Sequence, residues 1–138
     1  MTRVALAFLQ VAWTLLLASA AEPVAAARLL SAQEARELAL EALEPGARRL
    51  PGLDFEIYED TRVPNYFLVS VTWGEPRSEK GGSVQHLAID KVTADVWSGV
   101  VCEEKTSKSL RKLQREMRRR LGVTDADYKK QRRSGPMC

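Results

Sequence analysis

The sequence predicts an α+β fold: one N-terminal helix packed on a four-stranded antiparallel meander sheet, followed by a basic C-terminal helix. Three observations predict it. A capped stretch with helical apolar spacing opens the domain. Four period-two stretches follow, separated by short turn-rich segments. A leucine stripe then runs through a segment rich in arginine and lysine.

The first helix spans Leu30 to Glu44. Ser31-Ala32-Gln33-Glu34 is a capping box, in which the serine oxygen takes a free amide and the glutamate reaches back to the cap. Leu30 and Ala35 are placed for a hydrophobic staple across that cap. Ala35, Leu38, Ala39, Ala42 and Leu43 fall on one buried stripe. The small residues on that stripe suit close packing on a sheet, and Pro45-Gly46 stops the helix.

The period then changes to two. Leu53, Phe55 and Ile57 alternate with Asp54, Glu56 and Tyr58. Glu59 to Asn65 holds Pro64 and reads as a turn. Tyr66 to Trp73 is a longer strand, with Phe67, Val69, Val71 and Trp73 on one face and Tyr66, Leu68, Ser70 and Thr72 on the other. Gly74 to Ser83 reads as a hairpin loop. Val84 to Asp90 and Asp95 to Val101 complete the sheet. Sequential strands joined by short loops imply an antiparallel meander.

After Cys102 the composition shifts. Leu110, Leu113, Met117 and Leu121 form a narrow apolar stripe, and Gly122 is a C-terminal stop. Thr124 is placed to start a short last turn, and Lys129 to Cys138 reads as a frayed tail.

Compartment follows from the first twenty residues. Arg3 is a short positive region, Val4 to Leu17 are apolar apart from Gln10 and Thr14, and Ala18-Ser19-Ala20 offers the small-x-small pattern of signal peptidase. The expectation is a signal peptide over 1–20, cut near Ala20, and a secreted or periplasmic mature protein. The apolar run is short for a membrane anchor. The domains read as 1–20 leader, 21–104 α+β domain, and 105–138 basic helix and tail. Residues 21–104 carry eight basic and fifteen acidic side chains, whereas 105–138 carry twelve basic and three acidic. The mature chain has an acidic body and a basic end.

The chemistry is mostly defined by absences. His86 is the single histidine, on the strand face shared by Val84 and Ala88. One histidine makes no His-rich metal site, and a triad needs it beside a nucleophile and an orienting acid. The acidic groups Glu103-Glu104 and Asp54/Glu56/Glu59/Asp60 read as solvated rather than as a general acid and base. No P-loop, dinucleotide fingerprint or Cys-x-x-Cys is present. The expectation is no enzyme activity, no catalytic residues, no metal and no cofactor. Cys102 and Cys138 are the two cysteines, and an even count in an exported chain favours a bridge between them. A free or inter-chain Cys138 is the alternative. Closing a loop of this length is worth about 3–4 kcal/mol in the chain-entropy account.

The basic helix carries Lys108, Arg111, Lys112, Arg115, Arg118, Arg119 and Arg120 against one acid, Glu116. Its charges read as a solvated face complementing the acidic body, or as a contact surface. Arg111, Arg115, Arg118 and Arg119 are then the candidate binding residues. An acidic protein partner and an anionic membrane surface are both open. Export argues against nucleic acid.

Three stretches resemble a PepSY-like domain, within the broad cystatin-like class of one helix on an antiparallel sheet. Leu30-Ser31-Ala32-Gln33-Glu34-Ala35 with Leu38-Ala39-Leu40 is similar to the family's opening helix. Tyr66-Phe67-Leu68-Val69-Ser70-Val71 resembles its central strand, and Leu87-Ala88-Ile89-Asp90 with Thr93 and Val96 its final turn. The resemblance covers about 30–101. Ala94 stands where the family usually has glycine. A tight turn there wants positive φ, which costs alanine about 1 kcal/mol or more. Gln85-His86-Leu87-Ala88-Ile89 does not supply the Gln-x-Val-x-Gly loop of the cystatin inhibitors. The resemblance implies binding and restraint of partner enzymes rather than catalysis. Secreted inhibitor and immunity proteins share the same outline. The functional expectation is therefore a small exported non-catalytic binding domain, of inhibitor or immunity type, acting on a protein partner by surface contact. The alternative is a peripheral factor whose basic helix meets anionic membrane or polymer.

Overall fold

The computed structural model describes residues 28–75 and 79–136. The expected leader lies outside them. So does Cys138, and with it the expected bridge to Cys102.

Helix α1 spans Ala32–Ala42. Its capping box forms as expected: the Ser31 hydroxyl oxygen accepts from the Glu34 amide, and a Glu34 carboxylate oxygen accepts from the Ser31 amide at 2.9 Å. Past its end, a 3-10 turn at Ala47–Arg49 brings Arg48 back to the helix. The Arg48 guanidinium donates to the carbonyl oxygens of Glu41 and Leu43 at 2.6 and 2.8 Å. Those carbonyls have no partner within the helix, so the arginine satisfies them.

Strands β1 (Asp54–Glu59), β2 (Tyr66–Gly74), β3 (Gly81–Asp90) and β4 (Val96–Ser98) form one antiparallel sheet in the order β1-β2-β3-β4. Ile57 pairs with Val69, and Val69 pairs with Leu87 on the other side. The buried side chains of α1 meet Phe55, Phe67, Val69, Val71, Leu87, Ile89 and Val96 in one core, which includes Leu38. Trp73, expected on the same strand face, is half-buried and outside that core. Val71 is fully buried at the centre of this layer. Val71→Ala should cost about 1–3 kcal/mol by methyl deletion and cavity formation, read as a lower urea midpoint. A midpoint within error of the parent would place the core on the wrong strand face.

Two strand limits differ from the sequence reading. β3 begins at Gly81, within the expected loop. Gly81 pairs with Gly74, and a Cβ on it would sit 2.7 Å from the Trp73 carbonyl oxygen. The close backbone approach needs glycine, so a residue that reads as a loop marker is part of the ladder. The β2–β3 register slips further along the pair, between Val71 and Thr72. β4 is short because the chain turns at Gly99, whose amide bonds the His86 carbonyl. Residues 103–105 then return along β4, with Ser98 bonding Glu103 and Lys105 bonding Val96. They cover what would be an open sheet edge.

The turn between β3 and β4 holds Ala94 at φ +59, fully buried. The positive φ that the family's usual glycine implies for that place is present, in an alanine. The Asp90 carboxylate accepts from the Val92 and Thr93 amides at 2.8 and 2.9 Å, which builds the turn around it.

Helix α2 spans Lys108–Leu121, with Ser107 as its cap and Gly122 at φ +74 as its stop. Leu110, Met117 and Leu121 join the same core as α1 and the sheet, and Leu113 packs against it. Helix α3 spans Asp125–Gln131 and is capped by Thr124 in a second capping box. It takes in Lys129 and Lys130, which the sequence reading assigns to a frayed tail. Residues 132–136 do not fray either. The Tyr66 hydroxyl donates to the Ser134 carbonyl oxygen at 2.7 Å, and Gly135 is buried. Tyr66 lies on the sheet face away from α1, so the tail recrosses that face and shields an aromatic side chain from water.

Candidate functional site

The sequence places seven basic residues on α2, and the fold divides them. The Leu110, Met117 and Leu121 stripe turns inward, so the helix presents Lys108, Arg111, Lys112, Arg115, Arg119 and Arg120 to solvent. Arg120 is tied to Glu116 by an i,i+4 ion pair at 2.6 Å. Among the described residues no ion pair holds Arg111, Lys112, Arg115 or Arg119. Three of the four candidate binding residues, Arg111, Arg115 and Arg119, are therefore open cations.

Arg118, the fourth, is placed differently. Its side chain is 12% exposed. Nη1 donates to the Thr93 carbonyl oxygen at 2.9 Å and lies 3.5 Å from the Asp95 carboxylate. The guanidinium stacks over the Tyr128 ring, 4.1 Å from its centroid. Asp95 also accepts from the Thr93 hydroxyl at 3.0 Å and from the Tyr128 hydroxyl at 3.1 Å. One buried carboxylate thus joins the β3–β4 turn, α2 and α3. Burial pushes the Asp95 carboxyl above the ordinary aspartate range, against the pull of Thr93, Tyr128 and Arg118. Arg118 fastens the basic helix to the domain, and its neighbours present the charge.

Helical spacing alone puts Arg118 beside Arg111 and Arg115, so sequence reasoning grouped all of them. The signal for its separate role was the Thr124-x-x-Asp127 cap, which announces α3 and so brings Tyr128 against α2. Tyr128 and Arg132 were not singled out. Arg132 pairs with Glu104 across the tail.

The remaining titratable groups are scattered. His86 is exposed, with one ring nitrogen 3.4 Å from the Ser83 hydroxyl. It lines a hollow of about 450 Å³ on the sheet face away from α1, with Tyr58, Leu68, Val100 and Pro136. Asp60 lies in the same hollow, where the side-chain and backbone hydrogen bonds of Arg62 hold its carboxyl down at about 2. That carboxylate is a turn device. Glu103 is exposed, and Lys91 takes Glu59 at 3.1 Å. Among the described residues no group of three His, Cys, Asp or Glu is arranged to hold a metal ion, and no helix is long and apolar enough to cross a membrane.

No protein-family model matches the chain, and no curated protein matches it. Among solved structures, a chain of a type VI secretion system effector–immunity complex from Pseudomonas protegens is similar in fold. It aligns with TM-score 0.57 at 24% sequence identity, over 75% of this chain and 86% of that chain. At that identity the likeness shows the fold alone.

Proposed function

We propose that this chain is a small exported binding protein without catalytic activity, an inhibitor or immunity-type protein that restrains a partner protein by surface contact. The observation that carries the reading is the row of open cations on α2, Arg111, Arg115 and Arg119, mounted on a helix whose other face is locked into the core. A rigid mount lowers the ordering cost of association, and an open cationic row steers an acidic partner. The solved structure with the similar fold comes from an effector–immunity complex, which supports a protein as the partner. The PepSY-like stretches within 30–101 support the same class of role. Export rests on the leader pattern of residues 1–20.

The test is the triple variant Arg111→Gln, Arg115→Gln, Arg119→Gln. Glutamine keeps helix propensity while removing three charges. Folding stability should change little, since exposed charges of this kind are each worth under about 1 kcal/mol. Binding to an acidic protein partner should weaken, with a shallower dependence on salt. Unchanged binding at low salt would remove α2 from the contact. Binding to anionic vesicles alone, with no protein captured, would replace the protein partner with a membrane surface.

A further inference from the structure

We propose that the chain carries a receptor site for one compact oxyanion, a carboxylate or phosphate group, between α2 and α3. The inference deepens the partner reading, on which it rests for the source of the anion. The site is a cleft of about 240 Å³. Arg111, Gln114, Arg115 and Arg118 line it from successive turns of α2. Tyr128 of α3 and Arg132 beyond it form the other wall.

Charge points to an anion, and Gln114 adds a polar amide to the lining. Four guanidinium groups border the cleft, and the acids that face them are Glu104, paired to Arg132, and Asp95, held behind Arg118. Arg111 and Arg115 have no acid partner among the described residues. Gln114 is 3% exposed, and its Nε2 has no hydrogen-bond partner. Gln114 lines the cleft, and a half-turn about its last side-chain bond exchanges the amide nitrogen and oxygen, so it can present a neutral donor to a group seated there. Guanidinium forks suit two-oxygen groups. The volume falls below that of pockets for drug-sized ligands, which suits a single carboxylate or phosphate.

The anion arrives either on an acidic side chain of the partner or as free phosphate, and a titration separates the two. The 15N-labelled mature protein is titrated with inorganic phosphate and, separately, with N-acetyl-glutamyl amide, against sodium chloride at matched ionic strength. The Gln114 side-chain amide and the Arg111 and Arg115 Nε signals should shift saturably with at least one probe and not with chloride. Tighter binding of the glutamyl compound assigns the site to a protein side chain, and tighter phosphate binding assigns it to a free anion. Gln114→Met removes the amide at similar volume and leaves every charge in place. It should weaken the probe about tenfold or more, the loss of one hydrogen bond to a charged group. Its melting temperature should not fall, because the unmet donor is gone. Shifts that grow linearly, or equally with chloride, would overturn the site from the parent protein alone. Unchanged affinity in Gln114→Met would also overturn it. The partner reading would survive either result, because its own test is the arginine triple variant.

Discussion

Asp95→Ala is expected to destabilise the protein by about 3–5 kcal/mol, the cost of removing one partner from a buried charge pair. The carboxylate is 2% exposed, and the donors around it belong to three separate elements. Alanine would leave the Thr93 and Tyr128 hydroxyls without their acceptor and Arg118 without its counter-charge. Both a lower urea midpoint and a loosened α3 should follow, the second seen as faster amide exchange over Asp125–Gln131. A loss below about 1 kcal/mol would mean that water replaces the carboxylate at little cost, and that the junction is not buried in solution.

The same residue sets a pH dependence whose sign is unusual for an aspartate. Its folded-state affinity for a proton is raised by burial, so the folded protein holds that proton more tightly than the unfolded chain. The stabilising contribution is complete below the unfolded value, near about 3.9, and is lost as pH rises through the higher folded value. Asp95→Asn abolishes the titration at nearly constant shape. The parent should therefore lose stability relative to Asp95→Asn as pH climbs through that window. A constant difference between the two would show a carboxyl titrating as it does in water.

Met117→Ala is expected to cost about 2–5 kcal/mol, within the range for truncating a large buried side chain. Met117 is fully buried in the core that contains Leu38 and Val96. The loss should appear in one cooperative transition seen alike by far-ultraviolet circular dichroism and tryptophan fluorescence. Helix α2 would then be a wall of the domain, and the orientation of Arg111 and Arg115 would follow from the core. Separate transitions for helix and sheet would instead make α2 an attachment, with its cations free to reorient.

Local patterns carried the secondary structure. The Ser31 box, the Ala35–Leu38–Ala39–Ala42 stripe, the alternation at Phe67, Val69 and Val71, and the stop at Gly122 all act within a few residues, and each lies in the expected element. The positive φ at Ala94 is implied only by the family resemblance, whose usual glycine holds that place, and the alanine itself argues against it. What the tertiary structure decided was the fate of groups whose partners are distant in sequence. Arg118 looks like its neighbours on a helical wheel. Its burial depends on Thr93 and Asp95 in a turn that precedes α2, and on Tyr128 in a helix that follows it. Gln114 likewise reads as an ordinary polar residue on a charged helix, and becomes a buried donor once α2 packs into the domain. Residues 129–138 read from sequence as a frayed tail, because chain ends are commonly loose. Among the described residues the tail is held by the bond from the Tyr66 hydroxyl to the Ser134 carbonyl and by the Arg132–Glu104 pair. Periodicity reports which face of an element is apolar. Which charges on the polar face stay in water depends on what the rest of the chain brings against them, and that is set only when the elements pack.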